Sequence, residues 1–289
     1  MMLINYLDLT IDYVFKRVFG YAGSEVITNR LLSLITEQEI NDLVLDWDPI
    51  LERDLIDDKV GILDIKARVG LEMVCDIEMQ VVDQNNIIER ILYYWSKMYS
   101  EELKRGSGYL NLKKTIVILF ADFEIKQFKE IEKYITQWNI REKDYLNCVL
   151  TDLLEIYIIE LPKFNMDGSN LGASPELNTW IKFIKNPEVI TMADEKNDKA
   201  LKNAKDILTK ISNDEHERRL ADLRQKYIWD QQAIAAKGYD NGLKDGIEQG
   251  IEQIISAMFE KNLSIEDISK FTNLDIETVK KIISEHNQN

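Results

Sequence analysis

The stretch V60-G-I-L-D-I-K-A-R-V-G-L-E-M-V-C-D-I-E-M-Q-V81 alternates in polarity along two segments, Val60–Ala67 and Leu71–Val81, that meet near Val69–Gly70. Odd positions are apolar: Leu63, Ile65, Ala67, Val69, Leu71, Met73, Cys75, Ile77, Met79 and Val81. Even positions carry Asp64, Lys66, Arg68, Glu72, Asp76, Glu78 and Gln80, with Val74 the exception. Successive side chains on a strand point to opposite faces, so this period predicts an antiparallel hairpin with one apolar face. With a tight turn at Gly70 or Leu71, Asp64 lies opposite or diagonal to Asp76 and Glu78, and three carboxylates share one face. Like charges so placed repel, and two readings are open. A divalent cation would offset the repulsion, since hard oxygen ligands suit Mg²⁺. Alternatively, the hairpin is simply amphipathic, its polar face meeting water and Lys66 and Arg68 neutralising the acids.

Working outward, Thr10–Phe19 reads as a short helix with Val14, Phe15 and Val18 on one side, and Ser24 begins a second that runs through Ile35. Asp42–Asp46 and Thr115–Ala121 read as further strands. Ile87–Leu103 between them repeats Ile88, Ile91, Leu92, Trp95, Met98 and Tyr99 at helical spacing, a pattern expected of core residues. Tyr134–Ile140 and Leu153–Leu161 read as a second hairpin. Strands with helices before and between them predict an α/β domain with a mixed central sheet flanked by helices. The segment Pro162–Pro175, rich in proline, glycine, serine and asparagine, reads as a loop. The pattern beyond it is helical, from Glu176–Ile184 through long charged helices at about Asp194–Lys237. We therefore expect one domain over 1–186 and an all-helical region over 190–289.

Composition narrows the chemistry. The chain has 289 residues, 45% of them hydrophobic, enough for a sizeable core. No apolar run reaches the roughly 18 residues of a bilayer span. The opening MMLINYLDLTIDYVF carries Asp8 and Asp12 and lacks a signal-peptide pattern, which leads us to expect a cytoplasmic protein without a membrane association. Two cysteines, Cys75 and Cys148, do not make a disulfide framework, and two histidines, His216 and His286, leave little for a histidine zinc site or a Ser-His-Asp triad. A net charge of −15 argues against a protein that coats nucleic acid, but the charge is uneven. Asn41–Gln80 holds eleven acidic and four basic residues, whereas Asn85–Phe120 holds six basic and three acidic ones. An acidic pocket beside a basic rim suits a metal-dependent phosphodiesterase, and ordinary surface variation would also produce it.

The segments L63-D-I-K and D76-I-E-M-Q resemble the D…E-x-K core of the PD-(D/E)XK nucleases. More narrowly, they resemble the D…(N/D)IEMQ core of the Rpn family of recombination-promoting nucleases and transposases. Three further stretches resemble that family in the same order: D12-Y-V-F-K-R-V-F-G, R90-I-L-Y-Y-W-S-K-M-Y-S and the glycine-spaced G238-Y-D-N-G-L-K-D-G-I-E-Q-G. The resemblance runs from about Asp12 to Leu161 and returns near the C-terminus. It implies a restriction-endonuclease-like core and a Mg²⁺-dependent endonuclease whose substrate is DNA. It makes Asp64 and Glu78 the catalytic, metal-binding acids, joined by the backbone carbonyl of Met79. Gln80 stands where most of the superfamily has lysine, as is usual in this family, and leaves open what supplies positive charge near the attacking water. Asp12 and Asp76 are candidates for acids just outside the metal's own ligands.

Arg90, Tyr94, Lys97 and Glu101 share one helix face, so Arg90 and Lys97 are candidate DNA-phosphate contacts, along with Lys16 in the first helix. A solvated face with Tyr94 at its edge would read the same way. Gly238, Gly242, Gly246 and Gly250 form a stripe that permits close backbone approach, which suggests homo-oligomer formation or an interdomain contact, or else a hinge. Ser264 and Asp275 can cap two short helices with Asn273 between them, a helix-turn-helix-like end over 263–285 that would bind DNA or protein. The competing function is a mobile-element protein that binds DNA or a partner and cuts weakly or not at all.

Overall fold

The computed structural model describes residues 5–46, 65–83, 85–103, 108–170 and 172–286. Asp64, with the rest of 60–64 from the expected first hairpin strand, lies outside the described residues. Two helices open the chain, α1 (Asp12–Phe19) and α2 (Glu25–Thr36). Ser24 holds the N-cap position of α2, although its side chain makes no capping hydrogen bond. The strands β1 (Leu43–Asp46), β2 (Ile65–Val69) and β3 (Met73–Gln80) then pair antiparallel in sequence. The β2–β3 turn starts at Gly70, whose φ of +53° lies in the left-handed region that glycine enters without a side-chain clash. In that register Ile65 faces Ile77 and Lys66 faces Asp76.

A parallel neighbour for β3 requires a long crossover. Helix α3 (Ile87–Glu101) supplies it and leads to β4 (Lys114–Ala121). The expected second hairpin forms as β5 (Ile135–Trp138) and β6 (Leu154–Glu160), and β6 pairs parallel with β4. The six-stranded mixed sheet has the order β1-β2-β3-β4-β6-β5, so β3, β4 and β6 occupy its middle.

Those middle strands are buried on both faces, and parity divides their side chains between two cores. Cys75, Ile77 and Met79 of β3 join Ile116, Ile118 and Phe120 of β4 in the larger core, which α1 and α2 cover. Helices α4 (Pro175–Lys185), α5 (Met192–Asn197), α6 (Lys199–Ser212) and α7 (Glu215–Glu260) follow. Of these, α4, α6 and the start of α7 also enter the larger core. The opposite face carries Val117, Leu119 and Ala121 with Leu154, Ile156 and Ile158, covered by Ile87 and Ile91 of α3. Side chains in register on adjacent strands share a face. Asp76, Glu78 and Gln80 pair with Val117, Leu119 and Ala121, which puts them on the sheet face that α3 packs against. The open-faced amphipathic reading holds for β2, where Lys66 and Arg68 are exposed, and is corrected for β3, where Asp76, Glu78 and Gln80 are buried.

The chain divides into compact units at Trp229/Asp230, not near 186–190. The physical reason is that Leu201, Leu208 and Ile211 of α6 and Leu220 and Ile228 of α7 belong to the first unit's core. Polar pairs reinforce them. The guanidinium of Arg224 grips Asp12 through Nε to Oδ1 at 2.8 Å and Nη2 to Oδ2 at 2.5 Å, with both side chains buried. Arg17 grips Glu217 in the same way, and Tyr13 donates its hydroxyl to Glu217 at 2.7 Å. Burial alone would raise the Glu217 pKa, but the Arg17 and Tyr13 hydrogen bonds outweigh it and hold the carboxyl below its ordinary value.

The second unit holds the rest of α7 with α8 (Ile265–Thr272) and α9 (Ile276–His286), built around Ile255, Ile268, Val279 and Ile283. Its caps are those the sequence predicts. Ser264 accepts from the Asp267 amide, Asn273 turns in the left-handed region, and Asp275 accepts from the Thr278 amide. A Cβ built on any of the four striped glycines would meet nothing within 4 Å.

A fragment ending at Asn186 should aggregate. Burying Leu201, Leu208, Ile211 and Leu220 is worth about 6–12 kcal/mol together, comparable with the roughly 5–15 kcal/mol stability of a whole domain. Size-exclusion chromatography and a thermal melt check this, and a monomeric, cooperatively melting 1–186 fragment would contradict it. Arg224→Ala should cost about 3–5 kcal/mol in urea unfolding, because it strands a buried carboxylate; a loss below about 1 kcal/mol would show that the pair contributes no more than an exposed one. A depressed folded-state pKa contributes stability above the unfolded value, about 4.3, and loses it as pH falls. Glu217→Gln should accordingly flatten the acid dependence of the urea midpoint below about pH 4.3.

Candidate active site

Strand β3 places Asp76 and Glu78 two residues apart on the face beneath α3, at 1% and 2% exposure, with Gln80 at 8%. A charge taken out of water is costly unless it is compensated, so two buried carboxylates on one strand mark a place where the fold accepts an energetic cost. Each of the two acids is engaged by at least one neighbour. Lys66, exposed on β2, is the direct cross-strand position to Asp76. Met79 turns its side chain into the larger core, so only its backbone is available to the site. Among the described residues no group of three or more His, Cys, Asp or Glu is arranged to hold a metal. Asp64, the acid expected to complete the set with Glu78, is outside those residues.

Helix α3 also brings a cation to this face. Asn86 holds the N-cap position and Arg90 lies in the first turn, its amide bonded to the Asn86 carbonyl. Arg90 Nη1 lies 3.5 Å from Gln80 Oε1, and the guanidinium carbon is 5.7 Å from the Tyr94 ring centre. Its Nε and Nη2 are buried and have no hydrogen-bond partner. Lys97, two turns on, is exposed. Of the expected basic face, the structure therefore brings Arg90 to the site and leaves Lys97 at the surface beyond it. Trp95 behaves as a core residue, donating Nε1 to the Thr115 carbonyl at 3.1 Å and stacking on Tyr99.

Helix α1 contributes from the other core. Lys16 is buried along its stem, beside Gly20. A Cβ on Gly20 would sit 2.9 Å from Ile65 Cγ1 and 3.1 Å from Lys16 Cγ, so glycine there lets α1 approach the start of β2. Asp12 accepts from Arg224 and from the Tyr13 amide, which gives it a structural partner independent of any metal. Sequence reasoning missed that partner, since nothing local links residues 212 positions apart. It also missed Asp122, which directly follows β4 and donates its amide to the Gln80 carbonyl at 2.8 Å. Burial raises the Asp122 pKa, Asp8 adds to the rise and Lys185 opposes it. Cys75 belongs to the opposite face; burial, then the Asp76 charge, pushes its thiol well up, so it stays protonated and is a poor nucleophile.

Buried oxygen donors on a central strand with a guanidinium on the covering helix make an arrangement suited to binding a hard cation and an oxyanion together. No curated protein and no solved structure matches the chain significantly. A family model described as PD-(D/E)XK nuclease family transposase matches residues 9–238, which include the whole sheet and α1 to α6. The match covers well over half of the 289 residues, and the mixed sheet with its flanking helices has the restriction-endonuclease-like α/β form: this chain belongs to the PD-(D/E)XK nuclease family of transposases.

Proposed function

We propose that the protein is a Mg²⁺-dependent DNA endonuclease of the Rpn type, acting in recombination of mobile elements or in defence. The observation that carries this reading is the buried Glu78 carboxylate beside Gln80, with Arg90 bonded to that glutamine from above. Oxygen donors of this kind fit a hard divalent cation. Asp64, Glu78 and the Met79 backbone carbonyl would hold it. When bound, the ion would supply neutralisation of the phosphodiester and make water a stronger nucleophile.

The chain's own residues do the remaining work. Gln80 spends its carbonyl oxygen on Arg90 and keeps its amide N–H groups to orient the attacking water. Arg90 and Lys97 receive DNA phosphates along α3, and Lys16 contributes from α1. Asp76 supports the site electrostatically, and Asp12 supports it by anchoring α1 to Arg224. The glycine stripe of α7 serves self-association, since Tyr239, Leu243 and Ile247 beside it are exposed. No described helix is long and apolar enough to cross a membrane.

Supercoiled plasmid should be nicked in Mg²⁺ and left intact in EDTA. Glu78→Gln and Asp64→Asn, chosen as near-isosteric changes, should each lower nicking by about 100-fold or more. Gln80→Lys should retain cleavage. Cutting that resists EDTA, or a Glu78→Gln protein that cuts at the wild-type rate, would refute the assignment. A folded wild-type chain that binds duplex DNA yet never nicks it would favour the non-cutting reading.

A further inference from the structure

Arg17, Arg224 and Arg90 each hold a guanidinium group at least partly withdrawn from solvent, and the first two use the same edge. Arg17 and Arg224 each present Nε and Nη2 to a carboxylate, Glu217 and Asp12 respectively. That edge carries two parallel N–H bonds and matches two oxygens of one oxyanion. In Arg90 the same edge is buried and bonds to nothing, while Nη1 alone reaches Gln80. Buried donors are almost always satisfied, more so on a charged group, so a vacant guanidinium edge in a native fold calls for a ligand.

We propose that Arg90 is a catalytic residue: its Nε–Nη2 edge clamps the scissile phosphate through two non-bridging oxygens and supplies the positive charge that Gln80 lacks. This rests on the nuclease reading above and deepens it. Charge develops on the phosphoryl oxygens during hydrolysis, and a desolvated cation fixed beside them acts in a low-dielectric surrounding without reorganising. Other cations fit less well. Lys66 is exposed on β2, and Lys97 lies two turns away in solvent. The Nη1 bond to Gln80 fixes the rotation of the guanidinium plane, and the Tyr94 ring lies to one side of it. One glutamine thus orients both the water and the clamp.

The test uses the full chain as wild type, Arg90→Gln, Arg90→Lys and Arg90→Gln combined with Gln80→Lys. Nicking in Mg²⁺ should fall by about 100-fold or more in Arg90→Gln. Arg90→Lys should recover only part of it, because lysine keeps the charge without the fork. The double variant should cut at least about tenfold faster than Arg90→Gln, because Gln80→Lys returns a cation beside the phosphate. Thermal unfolding of Arg90→Gln should change little, since only the Nη1–Gln80 bond and the Tyr94 contact are lost and the Nε–Nη2 edge bonds nothing in the free protein. Anisotropy of a short fluorescent duplex in EDTA, where nothing is cut, should show Kd weakened about tenfold in Arg90→Gln. Cleavage by Arg90→Gln within about threefold of wild type overturns the clamp. So does a lowered melting temperature with no rescue by Gln80→Lys, which would make Arg90 a structural residue. A wild-type chain that never nicks overturns the nuclease reading instead. The duplex measurement then decides alone, and equal affinities, or no binding by wild type, overturn the clamp as well.

Discussion

Strand β3 has to be buried on both faces, and everything distinctive about this protein depends on how that burial is met. The odd side chains meet it with Cys75, Ile77 and Met79, which are apolar and need nothing further. The even side chains meet it with Asp76, Glu78 and Gln80, which are polar and must be compensated. A strand at the sheet edge could have turned the acids to water. The order β1-β2-β3-β4-β6-β5 seats β3 against β4, whose even face α3 covers, so the acids are buried where Lys66 and Arg68 of β2 stay exposed. The fold thereby concentrates carboxylates, a glutamine and an arginine in a small volume of low dielectric, where electrostatic interactions are strong.

The larger core imposes a second requirement. Helix α1 must reach β2 closely, which Gly20 permits against Ile65, and it must be held there. The hold comes from the far end of the unit: Arg224 and Glu217, both on α7, bind Asp12, Arg17 and Tyr13 of α1. The first unit therefore runs to Trp229, and the family match, ending at residue 238, closes at nearly the same place. Helices that look like an appendage in the sequence are part of the wall that positions the N-terminal helix.

Legibility in the sequence followed range. The β2–β3 hairpin, the β5–β6 pair, α3 and the caps at Ser264 and Asp275 were readable because a period of two, a period of about 3.6 and capping residues act within a few positions. The identity of the polar face was readable too, but its burial was not. Alternation shows which side chains share a face and leaves open what covers that face, and here α3 packs on it. The 186–190 boundary failed for a related reason. A Pro/Gly/Ser/Asn-rich loop marks a break in secondary structure, whereas Leu201, Leu208 and Leu220 carry the core across it. Arg90 was legible as a basic residue near the site; its bond to Gln80 and its vacant edge required the packing of α3 on the sheet.

On the proposed chemistry, Glu78 is a metal ligand at a site on the α3 side of the sheet. A crystal soaked in Mn²⁺, with diffraction measured at the manganese absorption edge, addresses it without depending on turnover, substrate choice or DNA affinity. An anomalous peak should lie within roughly 2.0–2.3 Å of a Glu78 carboxylate oxygen, the range for small hard cations on oxygen ligands. The same soak of Glu78→Gln crystals should show none. A peak bound elsewhere, with Glu78 untouched in the wild-type protein, would contradict it.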